Sequence, residues 1–301
     1  MDVLFASEIP ELELVGRGEV CDIYALPEGK QLLIYTDRVT AHGYELDKPI
    51  PLRGVVLHQI SLYWTQKFAH MAGHNIVAHT VKKFPAILQP HEKMLSGRSL
   101  VIQPLKQLPL RFRVIGSLSG EDWKTYKDSG KICGRMLPKG IPECGHLANP
   151  MLVIEPAGEL SINEGEDMTK WAQRMYGPHN YKTLEDICYS VFGVARNYAA
   201  ARGIIIAESS FEFALFDGKP YFVAQVMTPE TTVYWPQEGF KAGQPQPDYE
   251  KQAIYEWLRA EGWSDGNMLP ELPKNVIGEV IKRERELFNV MTGKVAKPEL
   301  G

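Results

Sequence analysis

The sequence lacks the features that mark several classes of protein. It has no apolar run of 18 residues, and its opening stretch, MDVLFASEIPELE, lacks the basic start and apolar core of a signal peptide. It also lacks a long basic run, and its formal net charge is −4, which is not typical of a nucleic-acid-binding or membrane-surface protein. We therefore expect a cytoplasmic protein that binds neither nucleic acid nor membranes.

Cysteine is scarce and scattered. The four cysteines, Cys21, Cys133, Cys144 and Cys188, form no C-x-x-C pair, so neither a zinc site nor a disulfide framework is indicated. Buried free thiols are the expected state. The eight histidines are also spread along the chain, and Gly73 interrupts the helical spacing of the nearest group. The sequence therefore predicts no metal site.

The composition is that of an ordinary globular protein. Hydrophobic residues make up 44% and charged residues 23% of the 301 residues, enough for two lobes with a sizeable core. Short apolar runs and turns alternate before Gly54, which predicts an antiparallel meander. Apolar residues then recur at threes and fours from Val55 to Phe68, which predicts one amphipathic helix. Further strand-like runs follow, the last of them LPLRFRVIG. The stretch EDWKTYKDSG then predicts a turn of helix. The segment 137–165, which is punctuated by proline and glycine, is predicted to be an irregular loop.

The second half contains a predicted helix from Thr183 or Leu184 to Arg202, a hairpin turning at Asp217-Gly218, and two closing helices over 249–260 and 275–291. Strands and helices are segregated rather than alternating, so the predicted fold class is α+β. The predicted division is a β-rich N-terminal lobe with one helix (1–85), a central α+β lobe with the cleft (86–270) and a C-terminal helix packing on the body (271–301).

Eight sequence blocks, in order, carry a family resemblance. They are GRGEVCDIY, TDRVTAHG, PIPLRGVVLHQISLYW, FPAILQPHEKMLSGRSLVIQ, GEDWKTYKDSGKICGRMLPKG, RGIIIAESSFEFAL, VMTPETTVYWP and QPDYEKQAIYEWL. This series resembles SAICAR synthetase, the ATP-dependent ligase of purine synthesis. The resemblance implies a SAICAR synthetase-like, ATP-grasp-like architecture of two lobes with a nucleotide site between them. It also implies that ATP and Mg²⁺ activate a carboxyaminoimidazole ribotide for condensation with aspartate.

The resemblance assigns ligand-binding roles to matching positions. The positions expected to contact nucleotide are Gly18, Glu19, Asp22 and Glu212. The positions expected to contact substrate are Asp37, Arg38, Thr40, Asp122 and Lys251.

The same blocks depart from the family pattern where that pattern uses cations and metal-binding acids. GKVRDIY is replaced by GEVCDIY, so the carboxylate of Glu19 stands where a lysine would meet polyphosphate. VRGYLTGSGWK is replaced by VIGSLSGEDWK, which puts Ile115 at an arginine position. Two lost guanidinium donors, the second at Val233, would cost about 3–6 kcal/mol of binding. Glu212 alone would also hold Mg²⁺ weakly.

These departures favour a diverged enzyme that has lost ATP-driven aspartate ligation and acts on a purine-like nucleoside or imidazole ribotide. The SAICAR-synthetase-like protein of pentostatin and coformycin pathways, associated with diazepine ring formation, is the precedent. The catalytic candidates are Glu121, His42, Glu155 and Glu208. Carboxylates crowded in a desolvated cleft raise one another's pKa, which suits acid–base catalysis. Glu121 and Asp122 could instead only stabilise the start of the helix that follows them.

Two other hypotheses stay open. One is a working SAICAR synthetase, and only this reading brings in ATP and Mg²⁺. The other is a non-catalytic relative that binds a metabolite or a protein. In each enzymatic reading the partner is a small nucleoside or ribotide, and self-association of the chain stays open.

Overall fold

The computed structural model describes residues 3–158, 160, 166–223, 225–249, 251–264, 267 and 269–295. The strands are β1 (Leu14–Arg17), β2 (Cys21–Ala25), β3 (Gln31–Tyr35), β4 (Thr40–Ala41), β5 (Tyr44–Glu45), β6 (Gly73–His74), β7 (Ile76–Ala78), β8 (Ser99–Ile102), β9 (Gln107–Ser117), β10 (Lys131–Ile132), β11 (Arg135–Met136), β12 (His146–Pro156), β13 (Ile204–Phe216), β14 (Lys219–Phe222) and β15 (Thr232–Pro236). The helices are α1 (Arg53–Lys67), α2 (Glu92–Leu95), α3 (Gly120–Ser129), α4 (Met168–Tyr176), α5 (Pro178–Ala200), α6 (Gln252–Ala260) and α7 (Lys274–Thr292). The α+β class expected from the sequence is confirmed.

The chain divides into two compact units. The first unit comprises residues 1–66, 75–105 and 249–301, and the second comprises residues 67–74 and 106–248. The three-part division made from the sequence stays a prediction.

The first unit is built on a five-stranded sheet of order β1-β2-β3-β8-β7. The predicted meander is confirmed by antiparallel pairing of β2 with both β1 and β3. Alternation in QLLIY sends Leu32 and Ile34 of β3 into the core, where both are fully buried. This is why a short run with only two large apolar residues on one face still forms the centre of the sheet.

The predicted helix near Val55 is confirmed as α1, and its first turn lies unusually close to the sheet. A Cβ added at Gly54 would lie 2.5 Å from the carbonyl oxygen of Tyr35, so no larger residue fits there. Arg53 in the same turn forms a buried ion pair with Glu284 of α7. The last helices, α6 and α7, pack on residues of the first unit such as Val39 and Ile50.

The second unit is built on a six-stranded sheet with the order β12-β9-β13-β14-β6, and β15 pairs with β13. Phe112 of β9 and Phe213 of β13 meet edge to face, with ring centroids 5.5 Å apart. The predicted hairpin is confirmed: β13 and β14 are joined by Asp217 and Gly218, with φ of 51° and 69°. Positive φ at both residues is what a two-residue hairpin turn of this kind requires.

Three local predictions differ from the structure. The segment 137–165, predicted to be irregular, contains the 11-residue strand β12, because Pro150 masks the alternation of LANPMLVIEP; residues 159 and 161–165 lie outside the described residues. The helix expected from Thr183 begins at Pro178, where proline suits the first turn. The return strand of the hairpin ends at Phe222, before the VAQVM stretch, whose Ala224 is also outside the described residues.

Helix α4 was not predicted at all. It starts at a cap in which the Asp167 carboxylate accepts hydrogen bonds from the backbone N–H groups of Thr169 and Lys170. Of the helices in the described ranges, none is long and apolar enough to cross a membrane.

His58 of α1 gives the first unit a predictable response to acid. It is fully buried, and neither ring nitrogen has a hydrogen-bond partner in the part of the chain that the structure describes. Burial, followed by the charges of His79 and Arg98, lowers the pKa of His58 to about 3. Its ring also meets Tyr35 edge to face at 5.5 Å. The neutral form is therefore required in the folded state.

We expect stability to fall as the pH drops below the ordinary histidine pKa, because the unfolded chain binds the proton and the folded chain does not until about pH 3. His58→Leu removes this dependence. Relative to wild type, the variant should gain about 2.7 kcal/mol more unfolding free energy at pH 4.5 than at pH 7.5, because two pH units below the ordinary pKa each contribute about 1.36 kcal/mol. Urea denaturation at both pH values measures the difference.

The matched control is His70→Asn, because His70 is exposed. It should leave the pH dependence unchanged. Equal pH dependence in wild type and His58→Leu would contradict the role of His58.

Candidate active site

An arginine surrounded by three carboxylates lies on one face of the second unit's sheet. Arg113 stands in the middle of β9, opposite Val153 of β12 and Ser210 of β13. Side chains two residues apart on a strand share a face. Glu155 and Glu208, each two residues from those partners, therefore point to the same side as Arg113. Diagonal neighbours of this kind are within reach of long side chains.

The contacts of Arg113 use most of its donors. Its Nε donates to Glu155 Oε1 at 2.8 Å, and its Nη1 donates to Glu208 Oε2 at 3.0 Å. Both terminal nitrogens also donate to the carboxylate of Asp122, in the first turn of α3. We call these four residues the Arg113 cluster. The geometry fixes three acids around one planar guanidinium.

The charges of the Arg113 cluster do not balance. Burial raises the pKa of Glu208, the neighbouring charges of Asp122 and Glu155 raise it further, and Arg113 offsets only part of this. Burial lowers the pKa of Arg113, but its hydrogen bond to Asp122 and the three negative charges outweigh burial, so this pKa lies above its ordinary value. The cluster therefore holds a permanent cation and a carboxyl group poised to titrate at a higher pH than usual.

A second ion pair lies beside the Arg113 cluster and joins β9 to β13. Arg111 Nη2 lies 3.2 Å from Glu212 Oε1, and Gln107 Nε2 donates to Glu212 Oε2 at 2.8 Å. Both oxygens of Glu212 are thus engaged. Within the described ranges, no three His, Cys, Asp or Glu side chains are arranged to hold a metal ion.

Arg111 and Arg113 were missed by the sequence reasoning. The signal was present, since LPLRFRVIG alternates charged and apolar residues and so places both arginines on one face of β9. The stretch compared with the family pattern, VIGSLSGEDWK, starts at Val114, one residue after Arg113. Ile115 is fully buried in an apolar cluster with Leu118 and Tyr126, so its side chain does not reach the polar group formed by Arg113.

Glu121 does not join the Arg113 cluster. Its side chain is 84% exposed and pairs with Lys124, one turn along α3. Successive helical residues point about 100° apart, so Asp122 faces the sheet while Glu121 faces solvent. The crowding on which its proposed catalytic role depended is absent at this position, whereas the structure brings Glu155, Glu208 and Asp122 together around Arg113.

In the first unit, Asp22 and Arg38 form a buried pair. Arg38 Nη1 donates to Asp22 Oδ1 at 2.8 Å and to the carbonyl oxygen of Phe5 at 2.8 Å, and its Nη2 donates to the carbonyl oxygen of Gly18 at 2.7 Å. Asp22 Oδ2 accepts from both the backbone N–H and the hydroxyl of Ser7, each at 2.7 Å. These two side chains bind the N-terminal segment and the β1–β2 turn to the sheet.

The carboxylate of Asp37 is also bound by groups of the protein itself. Its oxygens accept from the backbone N–H of Leu4 at 2.9 Å and of Gly54 at 3.0 Å, and Arg98 Nη1 lies 3.2 Å away. Asp22 and Asp37 are fully buried and Arg38 is 3% exposed. The structure therefore assigns these residues contacts within the protein, and their roles in ligand binding stay predictions.

The remaining positions of the first unit vary in exposure. Gly18 and Glu19 are exposed in the β1–β2 turn. Lys251 is buried at the start of α6, Thr40 is half-buried in β4, and His42 lies in the turn after it. Thr40 and His42 are two residues apart in the chain, whereas Glu19 belongs to the separate β1–β2 turn. Their roles in catalysis and ligand binding stay predictions.

Known proteins match this chain over nearly its whole length. The SAICAR synthetase family model matches residues 14–269. The phosphoribosylaminoimidazole-succinocarboxamide synthase of Maridesulfovibrio salexigens is 32% identical over 286 residues, which cover 95% of this chain and 96% of that protein. The synthase of the same name from Pelobacter propionicus is 33% identical over 287 residues, with 95% and 97% covered.

Solved structures of the same family also match this chain over nearly its whole length. SAICAR synthase from Saccharomyces cerevisiae, in complex with SAICAR, superposes with a TM-score of 0.86 at 25% identity and covers 97% of this chain and 99% of its own. A type-2 SAICAR synthetase in complex with ADP, at 16% identity and a TM-score of 0.65, shares the fold. Similarity at this level, in sequence and in structure, extends across both compact units, and the chain belongs to the SAICAR synthetase family.

Proposed function

We propose that this protein is a working SAICAR synthetase, which condenses carboxyaminoimidazole ribotide with aspartate at the expense of ATP. The observation that carries the proposal is sequence similarity over nearly the full length: a phosphoribosylaminoimidazole-succinocarboxamide synthase is 32% identical over 95% of the chain. The structure with a TM-score of 0.86 is that of a SAICAR synthase complexed with SAICAR.

The main hypothesis drawn from the sequence is wrong. It held that ATP-driven aspartate ligation had been lost and that the protein acts on a purine-like nucleoside, with diazepine ring formation as the precedent. Relatives that share a third of their residues with this chain over nearly its full length are named as the ligase itself. The missing family residues were therefore a poor guide to function.

The loss of activity was expected because two arginine positions of the family carry Ile115 and Val233 in this chain. Other arginines lie close to the first of these positions. Arg113 lies two residues before Ile115 on β9, and Arg111 lies two residues before that. Guanidinium groups are well suited to phosphate and carboxylate ligands because they donate in a planar fork. We propose that these arginines offset part of the negative charge of the acids on this face, and so reduce the repulsion that the acids exert on an anionic substrate.

The acids of the same face have two proposed roles. Glu208, with its raised pKa, is suited to accepting a proton from the ammonium group of aspartate, which must be neutral before it attacks. Glu212 is already held by Arg111 and Gln107. We propose that Mg²⁺ enters as part of the MgATP substrate, with most of its ligands supplied by phosphate oxygens and water.

The reaction itself is the first test. Purified protein should release ADP only when MgATP, carboxyaminoimidazole ribotide and aspartate are all present, because the amine consumes the activated carboxyl group. A coupled ADP assay with each component omitted in turn measures this. Absence of turnover at high enzyme concentration, with all components present, would remove the proposal.

Arg113→Gln tests the Arg113 cluster. Without the guanidinium, three carboxylates crowd together and their pKa values rise, so we expect kcat/KM to fall about a hundredfold, equivalent to about 2.7 kcal/mol. Because ionised carboxylates are then formed only at higher pH, the acidic limb of the pH–rate profile should move to higher pH. Steady-state kinetics between pH 6 and 9 measure both effects.

The matched control is Arg285→Gln, which changes an exposed arginine on α7 of the other unit. It should retain wild-type kcat/KM and an unshifted profile. An Arg113→Gln enzyme with the same profile as wild type would show that the cluster takes no part in the reaction.

A further inference from the structure

The carboxylate of Glu212 has both of its oxygens bound by side chains of β9. Arg111 stands directly opposite Glu212 in the β9–β13 register, and its Nε and Nη2 donate to Oε1 at 3.3 and 3.2 Å. Gln107 Nε2 donates to Oε2 at 2.8 Å. A magnesium ion needs oxygen ligands at about 2.0–2.1 Å in a near-octahedral arrangement. N–H donors therefore occupy the side of this carboxylate that a metal ion would have to approach.

The other acids of this face are also directed at a guanidinium group. Glu155 lies opposite Arg111 on β12, but its Oε1 accepts a hydrogen bond from Arg113 Nε at 2.8 Å. Asp122 and Glu208 accept from the terminal nitrogens of the same arginine. Because the donors of a guanidinium lie in one plane, these acids are spread around its edge and do not converge on one point. In the ranges that the structure describes, no three acids, histidines or cysteines form a metal-binding group.

The residues of this face thus fit two guanidinium groups and do not fit a divalent ion held by the protein alone. Glu212 still needs a neighbouring cation, because four carboxylates are crowded on the face. Arg111 supplies that charge permanently, since a guanidinium is not deprotonated in proteins.

We propose that Arg111 replaces a protein-bound divalent cation at Glu212. The ligand-free protein then binds no divalent ion on this face, and Mg²⁺ reaches the protein only together with ATP. The statement about ATP rests on the proposed function, whereas the exclusion of divalent ions from the ligand-free protein does not.

The exposure of the Arg111–Glu212 pair makes the proposal testable by substitution. The side chain of Arg111 is 49% exposed and that of Glu212 is 20% exposed. Ion pairs near the surface contribute little to stability. We therefore expect variants at both positions to fold, and thermal unfolding of each variant checks this.

Manganese binding to the ligand-free protein is the main test. Mn²⁺ takes the same oxygen ligands as Mg²⁺, and the electron paramagnetic resonance signal of free Mn²⁺ falls when the ion is bound. Wild type and Glu212→Gln should give the same titration, because Glu212 is closed to the ion. Arg111→Gln should bind Mn²⁺ about tenfold more tightly than wild type or better, because the loss of one positive charge leaves Glu212 and Glu155 unbalanced.

Three control variants show whether charge at position 111 is the cause. Arg111→Lys keeps the positive charge and should exclude Mn²⁺ as wild type does. The double variant Arg111→Gln/Glu212→Gln should lose the affinity that Arg111→Gln gained. Arg285→Gln removes an exposed arginine on α7 and should bind no more Mn²⁺ than wild type.

Kinetics provide a second readout. With the concentration of MgATP held constant, additional free Mg²⁺ should leave the wild-type rate of ADP release unchanged. A rate that rises severalfold to a plateau with free Mg²⁺ would show a divalent ion held by the protein and would contradict the proposal.

The outcomes separate this proposal from the proposed function. Mn²⁺ binding by wild type that Glu212→Gln abolishes would overturn the proposal, and so would an Arg111→Gln protein that binds no more Mn²⁺ than wild type. Either result in a protein that turns over its three substrates leaves the proposed function intact. A gain of Mn²⁺ binding in Arg111→Gln, in a protein that releases no ADP, would support the replacement of the metal ion and remove the proposed function.

Discussion

A guanidinium group taken out of water has to be neutralised and fully hydrogen-bonded, and this constraint shapes both units of the protein. In the first unit, Arg38 is almost completely buried, and it satisfies this constraint by donating to Asp22 and to the carbonyl oxygens of Phe5 and Gly18. The N-terminal segment, the β1–β2 turn and the segment after β3 are joined by that one side chain. In the second unit, Arg113 satisfies the same constraint through three carboxylates, which come from two strands and a helix.

The surroundings of Arg38 and of Arg113 differ in a way that matters for function. Around Arg38 the hydrogen bonds are spread over neutral carbonyl groups as well as acids, and the side chain is sealed from solvent. Around Arg113 three acids share one cation, and burial leaves Glu208 with a raised pKa. The first arrangement holds backbone segments in place. The second stores excess negative charge beside a carboxyl group with a raised pKa, which suits proton transfer.

Elements with strong local signals were predicted well. The apolar spacing of α1 and the Asp217-Gly218 turn were recognised because each depends on nearby residues. Strand β12 and helix α4 were not, since Pro150 interrupts the pattern of the strand and α4 is short, with a single fully buried residue, Ala172. Among site residues, Glu155, Glu208 and Asp122 were named from the sequence, whereas Arg111 and Arg113 were overlooked.

The sequence by itself determined the α+β class, the family resemblance and most of the acids of the candidate site, because these follow from local periodicity and from the order of motifs along the chain. Only the tertiary structure decided which charges meet. Arg113 reaches Glu155 and Glu208 through the register of three strands, and Asp122 rather than Glu121 faces them through the rotation of one helix. Register and helix rotation are set by packing over long sequence separations, so a linear comparison of motifs counts missing cations and cannot see which charged side chains meet.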